Sequence, residues 1–381
     1  MSVPATWTSR SFRFLPQMLL KFALIVYIVA PPANADQSSP AAPKPQGKMP
    51  RVHVLATGGT IAGQGQTSTS VTEYRRGAYL GQELVERVPE LKQFATISVE
   101  QITNVYGSDI TLANWLTLAN RANTIFADDP DLSGIVVTHG TNTLEETAYF
   151  LNLTVRDARP VVVVGAQRPG TAVSADGPGN LIAAVRTAIA PEARGKGVLV
   201  VTNDEINAAR EVTKSNTYRP GTFRTPELGF LGYVDSDKVT FYRSTTRRHT
   251  INSEFDVGRI HQLPAVDILY SYIQPSTAPL KALLASGVKG IVFAGTGPGG
   301  LSTFERLVVE EANALPVGSR PVIVRASRTG SGRVVSGGVE YKNLITITGD
   351  NLNPQKARIL LMLALTKTTD TAEIQRIFGE Y

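Results

Sequence analysis

The chain has 381 residues, 42% of them apolar, with 38 basic and 32 acidic side chains, four histidines and no cysteine. The missing thiols exclude disulfides, thiolate nucleophiles and thiolate metal sites. The formal charge of +6, which falls to +3 without the first 35 residues, leaves too small an excess to argue for nucleic acid, and the length suffices to bury two ordinary cores.

Arg10 and Arg13 precede an apolar stretch from Met18 to Ala30, interrupted by Lys21, and Ala33-Asn34-Ala35 has the small-residue pattern of a signal-peptidase site. Residues 1–35 are therefore expected to be a signal peptide, cleaved before Asp36 on export to the periplasm. The apolar stretch is shorter than the roughly 20 residues a bilayer span requires, so no membrane attachment is expected after cleavage. Without Arg10, Arg13 and Lys21 the basic side chains fall from 38 to 35 against 32 acidic ones, a formal +3. Residues 36–50 are rich in Ser, Pro, Ala and Gln and cannot offset their ordering entropy, which predicts a flexible linker.

From Arg51, short β-branched runs alternate with helical patterns. Strands are expected at 51–57, 134–138, 161–165 and 197–202, and helices near 80–88, 111–126, 143–155 and 178–189. Near-continuous apolar strands joined by helices imply a mainly parallel sheet flanked by helices on both faces, an α/β fold. The larger N-terminal α/β domain is placed at 51–238, and an interdomain linker at 239–263. A smaller C-terminal α/β domain follows at 264–381, with strands at 265–270, 290–294, 321–325 and 344–347 and a helix at 354–366. In such sheets the functional loops lie at the carboxyl ends of the strands.

Two threonines fall there, each among glycines: Thr60 in Thr57-Gly58-Gly59-Thr60 and Thr141 in Thr138-His139-Gly140-Thr141. A strand that empties into a glycine turn presents a hydroxyl nucleophile close to a small ligand, and the turn's backbone NH groups are ready oxyanion donors. Lys214 is a candidate base if burial lowers its pKa. Tyr74, in a polar stretch, is a candidate proton relay or lid residue. Each also has a plainer reading, as a turn, cap, surface or packing residue. His139 at a buried strand end reads as a histidine making one satisfied hydrogen bond, and His53, His139, His249 and His261 show no metal-ligand spacing. A third feature, Gly295-Thr296-Gly297-Pro298-Gly299-Gly300, fits a dinucleotide loop with Arg325 on the next strand, but Pro298 removes a backbone NH.

Taken together, Ala56-Thr57-Gly58-Gly59-Thr60-Ile61-Ala62-Gly63, the run from Val137 to Ala148, Val164-Gly165-Ala166-Gln167-Arg168-Pro169, Ser174-Ala175-Asp176-Gly177-Pro178, Glu211-Val212-Thr213-Lys214 and Leu352-Asn353-Pro354-Gln355-Lys356-Ala357-Arg358 resemble the bacterial type II L-asparaginases from about Arg51 to Tyr381. The resemblance implies an exported hydrolase of L-asparagine, often also of L-glutamine, that needs no cofactor. It implies a homotetramer with each site between two subunits. Carried over by motif, Thr60 is the nucleophile, Tyr74 its activating tyrosine, Thr141 the second catalytic threonine and Lys214 its partner; the Ala166 carbonyl faces the substrate amide.

Three departures qualify the resemblance. Asn142 stands where the family usually has an aspartate that binds the substrate ammonium, which predicts weaker binding of an α-amino acid, since charged hydrogen bonds are roughly twice as strong. Gly107 stands where the family often has a carboxylate-binding serine, with Ser108 one position later as the substitute. Pro298 replaces a common asparagine, and Glu340 is the candidate for a glutamate supplied by the neighbouring subunit. The main expectation is an active amidohydrolase. A catalytically silent periplasmic binding protein for a small amide or acid, and an NADP-binding oxidoreductase, are the alternatives.

Overall fold

A computed structural model of the chain describes residues Lys48–Tyr381. The expected signal peptide, and the expected linker as far as Gly47, lie outside the described residues.

Among the described residues, sixteen strands and eight α-helices occur in the order β1 Arg51–Gly58, β2 Gln64–Gly65, β3 Tyr74–Arg75, α1 Gly81–Glu86, β4 Thr96–Val105, α2 Leu112–Asp128, β5 Gly134–Thr138, α3 Leu144–Thr154, β6 Val161–Val164, α4 Gly177–Ile189, β7 Val198–Thr202, β8 Glu205–Ala208, β9 Thr213–Lys214, β10 Phe223–Arg224, β11 Gly232–Val234, β12 Val239–Phe241, β13 Val266–Tyr270, α5 Ala278–Ala285, β14 Gly290–Gly295, α6 Thr303–Asn313, β15 Val322–Ser327, β16 Ile347–Thr348, α7 Pro354–Ala364 and α8 Thr371–Glu380. The larger sheet runs β12-β11-β8-β7-β6-β5-β1-β4; β4 to β7 and β1 are mutually parallel, and β8, β11 and β12 extend one side antiparallel. The smaller sheet, β13-β14-β15-β16, is wholly parallel.

The apolar strand sequences follow from burial on both faces. Ile135, Val137, Val161, Val163, Val198 and Val200 enter one core with α2, α3 and α7, while Val136, Val162, Val164, Leu199 and Val201 enter the other with α4. Alternate side chains point to opposite faces, so a run such as Val161-Val162-Val163-Val164 feeds both cores at once. Burying each such side chain contributes roughly 1.5–3 kcal/mol. Helix α7 packs on α3 and on the smaller sheet. Its Ile359 to Ala364 are fully buried, as expected of a helix that is apolar all round.

The expected elements from Arg51 onward recur within a few residues, with one clear shift: the last strand of the smaller sheet is Ile347–Thr348, not 344–347. Strand β4 was not among the expected ones. It is the edge of the larger sheet, and its sequence Thr-Ile-Ser-Val-Glu-Gln-Ile-Thr-Asn-Val is half exposed along its length, so it lacks the apolar continuity that marks the central strands. Strand β12, at the start of the expected 239–263 connection, pairs with β11 of the larger sheet.

Candidate active site

Strands β1 and β5 are parallel neighbours, so the loops that leave their carboxyl ends emerge side by side. Thr57 donates its hydroxyl to the Thr138 carbonyl (2.8 Å), tying the two strand ends together. Beyond that point the backbones nearly touch. A Cβ on Gly59 would lie 2.3 Å from the Gly140 Cα, and one on Gly140 would lie 2.8 Å from the Gly107 Cα. Gly58 and Gly59 also have φ of +94° and +88°. Glycine is thus required by both contact and backbone conformation, and the close approach brings Thr60 and Thr141 to one cleft.

Thr60 sits in a single 3-10 turn after Gly59, and its hydroxyl shares a hydrogen bond with the Tyr74 hydroxyl (2.7 Å). Tyr74 is delivered by the β2–β3 hairpin, in which Gly65 pairs with Tyr74. A Cβ on Gly63 would lie 3.0 Å from the Tyr74 ring, so the hairpin folds flat against its own stem.

Thr141 accepts a hydrogen bond from Lys214 Nζ (2.8 Å), and the same ammonium donates to Asn142 Oδ1 at 3.3 Å. Burial pulls the Lys214 pKa below its ordinary 10.5, with the Glu145 carboxylate opposing in part. The Lys214 strand is pinned from beneath. Its backbone NH donates to Glu145 Oε2 (3.2 Å), and Gln355 Nε2 donates to the other oxygen, Oε1 (2.9 Å). Lys356, fully buried on α7, donates to the carbonyls of Arg210 and Val212 just before Lys214. Desolvation brings the Lys356 pKa down to about 8.

Thr60, Tyr74, Thr141, Asn142 and Lys214 all line one cavity of about 550 Å³, an ordinary size for a small-molecule site. Arg76, Tyr106, Glu145, Gln167 and Tyr218 line it as well. Tyr106 and Arg76 escaped the sequence reading. Their signal was faint: Tyr106 directly precedes Gly107, and Arg76 closes Tyr74-Arg75-Arg76. Ser108 is exposed and is not among the lining residues; its loop is set by Gly107, whose Cα packs on Gly140, and Tyr106 faces the cavity instead. Ala166 is buried and likewise not a lining side chain, but its neighbour Gln167 is. That loop is held by Asp176, which accepts from the backbone NH of Gln167 and of Arg168, both at 2.9 Å. Pro298 and Glu340 do not line the cavity.

His139 is fully buried behind Thr141. Its Nδ1–H donates to the Gly140 carbonyl (2.7 Å), and its Nε2 accepts from the Thr147 hydroxyl (2.9 Å), which in turn accepts from Trp115 Nε1 (2.8 Å). Burial drives its pKa to about 4, so the ring is neutral, consistent with a structural histidine.

The dinucleotide alternative fails on geometry. Thr296 and Gly300 exchange backbone hydrogen bonds, at 2.9 and 2.6 Å, so two amides a pyrophosphate would need are already used. Arg325 is buried with its guanidinium over the Tyr341 ring (3.8 Å). Among the described residues no three His, Asp or Glu side chains gather as metal ligands.

Two family models match in tandem: Asparaginase, N-terminal, over residues 51–247, and Glutaminase/Asparaginase C-terminal domain over 265–378. L-asparaginase 2 of Bacillus subtilis is 48% identical over 349 residues, covering 92% of this chain and 91% of its own. A probable periplasmic L-asparaginase of Haemophilus influenzae is 44% identical over 334 residues, covering 87% and 93%. The crystal structure of a probable cytoplasmic L-asparaginase from Campylobacter jejuni superposes with a TM-score of 0.83 at 44% identity, over 87% of this chain and all of that one. With both models matched in order and relatives aligned over most of their length, the chain belongs to the asparaginase family.

Proposed function

We propose that this chain hydrolyses the side-chain amide of L-asparagine, and of L-glutamine, to the corresponding acid and ammonia through a threonine acyl-enzyme. One observation carries this: two threonine hydroxyls, each hydrogen-bonded to its own proton-handling group, face the same cavity. Thr60 Oγ1 attacks the amide carbon while its proton passes to the Tyr74 oxygen, which releases its own proton toward the amide nitrogen. The amide C–N bond breaks and the departing nitrogen takes that proton, leaving as ammonia. A water then cleaves the ester, with Lys214, acting through Thr141, taking the water's proton and returning it to the Thr60 oxygen as the acid leaves. Burial favours the neutral amine that this role needs. The strand-end amides around Gly59 and Gly140 are the candidate oxyanion donors, and the Ala166 carbonyl and Asn142 are the candidate contacts to the substrate. Purified protein should release ammonia from L-asparagine; no release from L-asparagine, L-glutamine, their D forms or small related amides would end this reading. The silent binding protein has no observation in its favour, since both hydroxyls keep their partners.

The finer statements rest on family likeness. We place the domain junction within 239–263, which overlaps the 248–264 gap between the two matched models. Export to the periplasm rests on the leader sequence and on the relative named as periplasmic, against a neighbour named as cytoplasmic. Amino-terminal sequencing of exported protein should begin at Asp36. A homotetramer, with Glu340 and the Pro298 loop turned toward a neighbour's site, predicts four-chain mass by light scattering.

A further inference from the structure

Arg76 follows β3 directly, and its guanidinium lies over two aromatic rings, 4.9 Å from the centre of Tyr74 and 4.3 Å from that of Tyr106. Tyr74 belongs to the β2–β3 hairpin, whereas Tyr106 leaves the end of β4 in the larger sheet. A delocalised cation is attracted to the face of each ring, so one side chain ties the hairpin to the sheet. The chain is fixed immediately beyond it: the Gly77 NH donates to the Gly59 carbonyl (3.2 Å), and the Gly77 carbonyl accepts from Asn104 Nδ2 (2.8 Å). On its far side the hairpin is held through its backbone, by Gly65 NH to Thr171 Oγ1 (2.8 Å) and Val173 NH to the Ser68 carbonyl (2.9 Å). Neither bond touches the Tyr74 side chain.

Tyr106 is itself anchored. Its hydroxyl accepts from Asn142 Nδ2 (2.8 Å), Asn142 Oδ1 accepts from Lys214 Nζ (3.3 Å), and the same ammonium donates to Thr141 (2.8 Å). With the Tyr74–Thr60 hydrogen bond at the other end, contacts run unbroken from Thr60 through Tyr74, Arg76, Tyr106, Asn142 and Lys214 to Thr141. An amide suits the middle of this chain because it carries both a donor and an acceptor, and the second lone pair of Oδ1 stays available to a substrate ammonium.

We propose that Arg76 is a positioning residue, a latch that holds the Tyr74 ring against Tyr106 and so keeps the Tyr74 hydroxyl on Thr60, with Asn142 fixing Tyr106 in place. The consequence for turnover rests on the hydrolase reading above, whereas the tie between hairpin and sheet does not.

Hydrogen exchange followed by mass spectrometry reads that tie directly. In Arg76→Gln the amides of residues 64–76 should exchange more than threefold and up to about thirtyfold faster, the effect of losing two cation–ring contacts. Those of residues 213–216 should keep their wild-type rates, which shows the variant folded. Arg76→Lys, still a cation, should recover part of the loss. In ammonia release from L-asparagine, Arg76→Gln and Tyr106→Leu should each lower kcat/KM, and the double variant should lose no more than about twice what the worse single loses, because both remove the same contact. The latch is overturned if hairpin exchange in Arg76→Gln stays within about threefold of wild type, or if the double variant loses more than that. Absence of ammonia from every amide would instead remove the hydrolase reading, and the exchange comparison would still decide the latch.

Discussion

The two hydroxyl pairs facing the cavity are built in opposite ways. Tyr74 reaches Thr60 from a hairpin of two-residue strands whose tip, Thr67 to Ser70, is mostly exposed and bonded largely to itself. Lys214 reaches Thr141 from a strand fastened to buried Glu145 and Lys356, with Gln355 holding Glu145, and backed by the His139, Thr147 and Trp115 chain. Segments with few buried contacts open most cheaply, so the Thr60 side is the one able to move for substrate entry while the Thr141 side stays put. The second pair of groups carries the polar atoms that cost most to leave unsatisfied.

The largest test of this contrast is removal of the hydroxyls. Thr60→Ala and Thr141→Ala should each lower ammonia release by several orders of magnitude with the fold retained; near-normal turnover in either would strike that residue from the mechanism. Lys214→Met should cost on the order of 10²- to 10⁴-fold, the usual range for a lost general base. In the wild-type protein the rate should rise with pH along a limb whose midpoint lies below 10.5, because the Lys214 pKa is lowered and the neutral amine is the active form. That limb should be missing from Lys214→Met.

Stability tests the buried side. His139 has a pKa of about 4 in the folded protein against 6.5 ordinarily. The unfolded chain takes up this proton and the folded one does not, so stability should fall as pH drops from 6.5 to 4, by about 3 kcal/mol from this one group. Denaturant unfolding across that range measures it, and a histidine that titrates near 6.5 in the folded protein would refute it. Thr147→Val, which strips His139 Nε2 and Trp115 Nε1 of their partner, should cost about 1–3 kcal/mol. It should leave the Thr60–Tyr74 pair intact. The smallest effect is expected from Asn142→Asp: KM for L-asparagine should fall about tenfold as a charged acceptor is restored. The new carboxylate, 3.3 Å from Lys214 Nζ in the position of Oδ1, should also move the pH limb upward. An unchanged limb would show that Asn142 and Lys214 are not coupled.

Much of this was legible in the residues. Runs such as Ile135-Val136-Val137 announce central strands because both faces are buried, and glycine after such a strand announces a close backbone approach. Strand β4 was not legible, because an edge strand needs only half of its surface apolar. The stacking of Arg76 on Tyr106 was equally hidden. Arg76 and Tyr106 are 30 positions apart, and nothing in their local sequence says that one stacks on the other.

The sequence by itself determined which groups are present: two threonines at strand ends, a lysine, a tyrosine, an asparagine in place of an aspartate, and no thiol. Local periodicity and turn chemistry suffice for that, since they act over a few residues. Only the tertiary structure decided which of those groups meet. Strand order places β1 beside β5, the backbone contacts of Gly59, Gly140 and Gly107 close the cleft, and a buried lysine on α7 holds the loop that carries Lys214. Contacts between residues far apart in the chain depend on sheet order and packing, which no short stretch of sequence encodes alone.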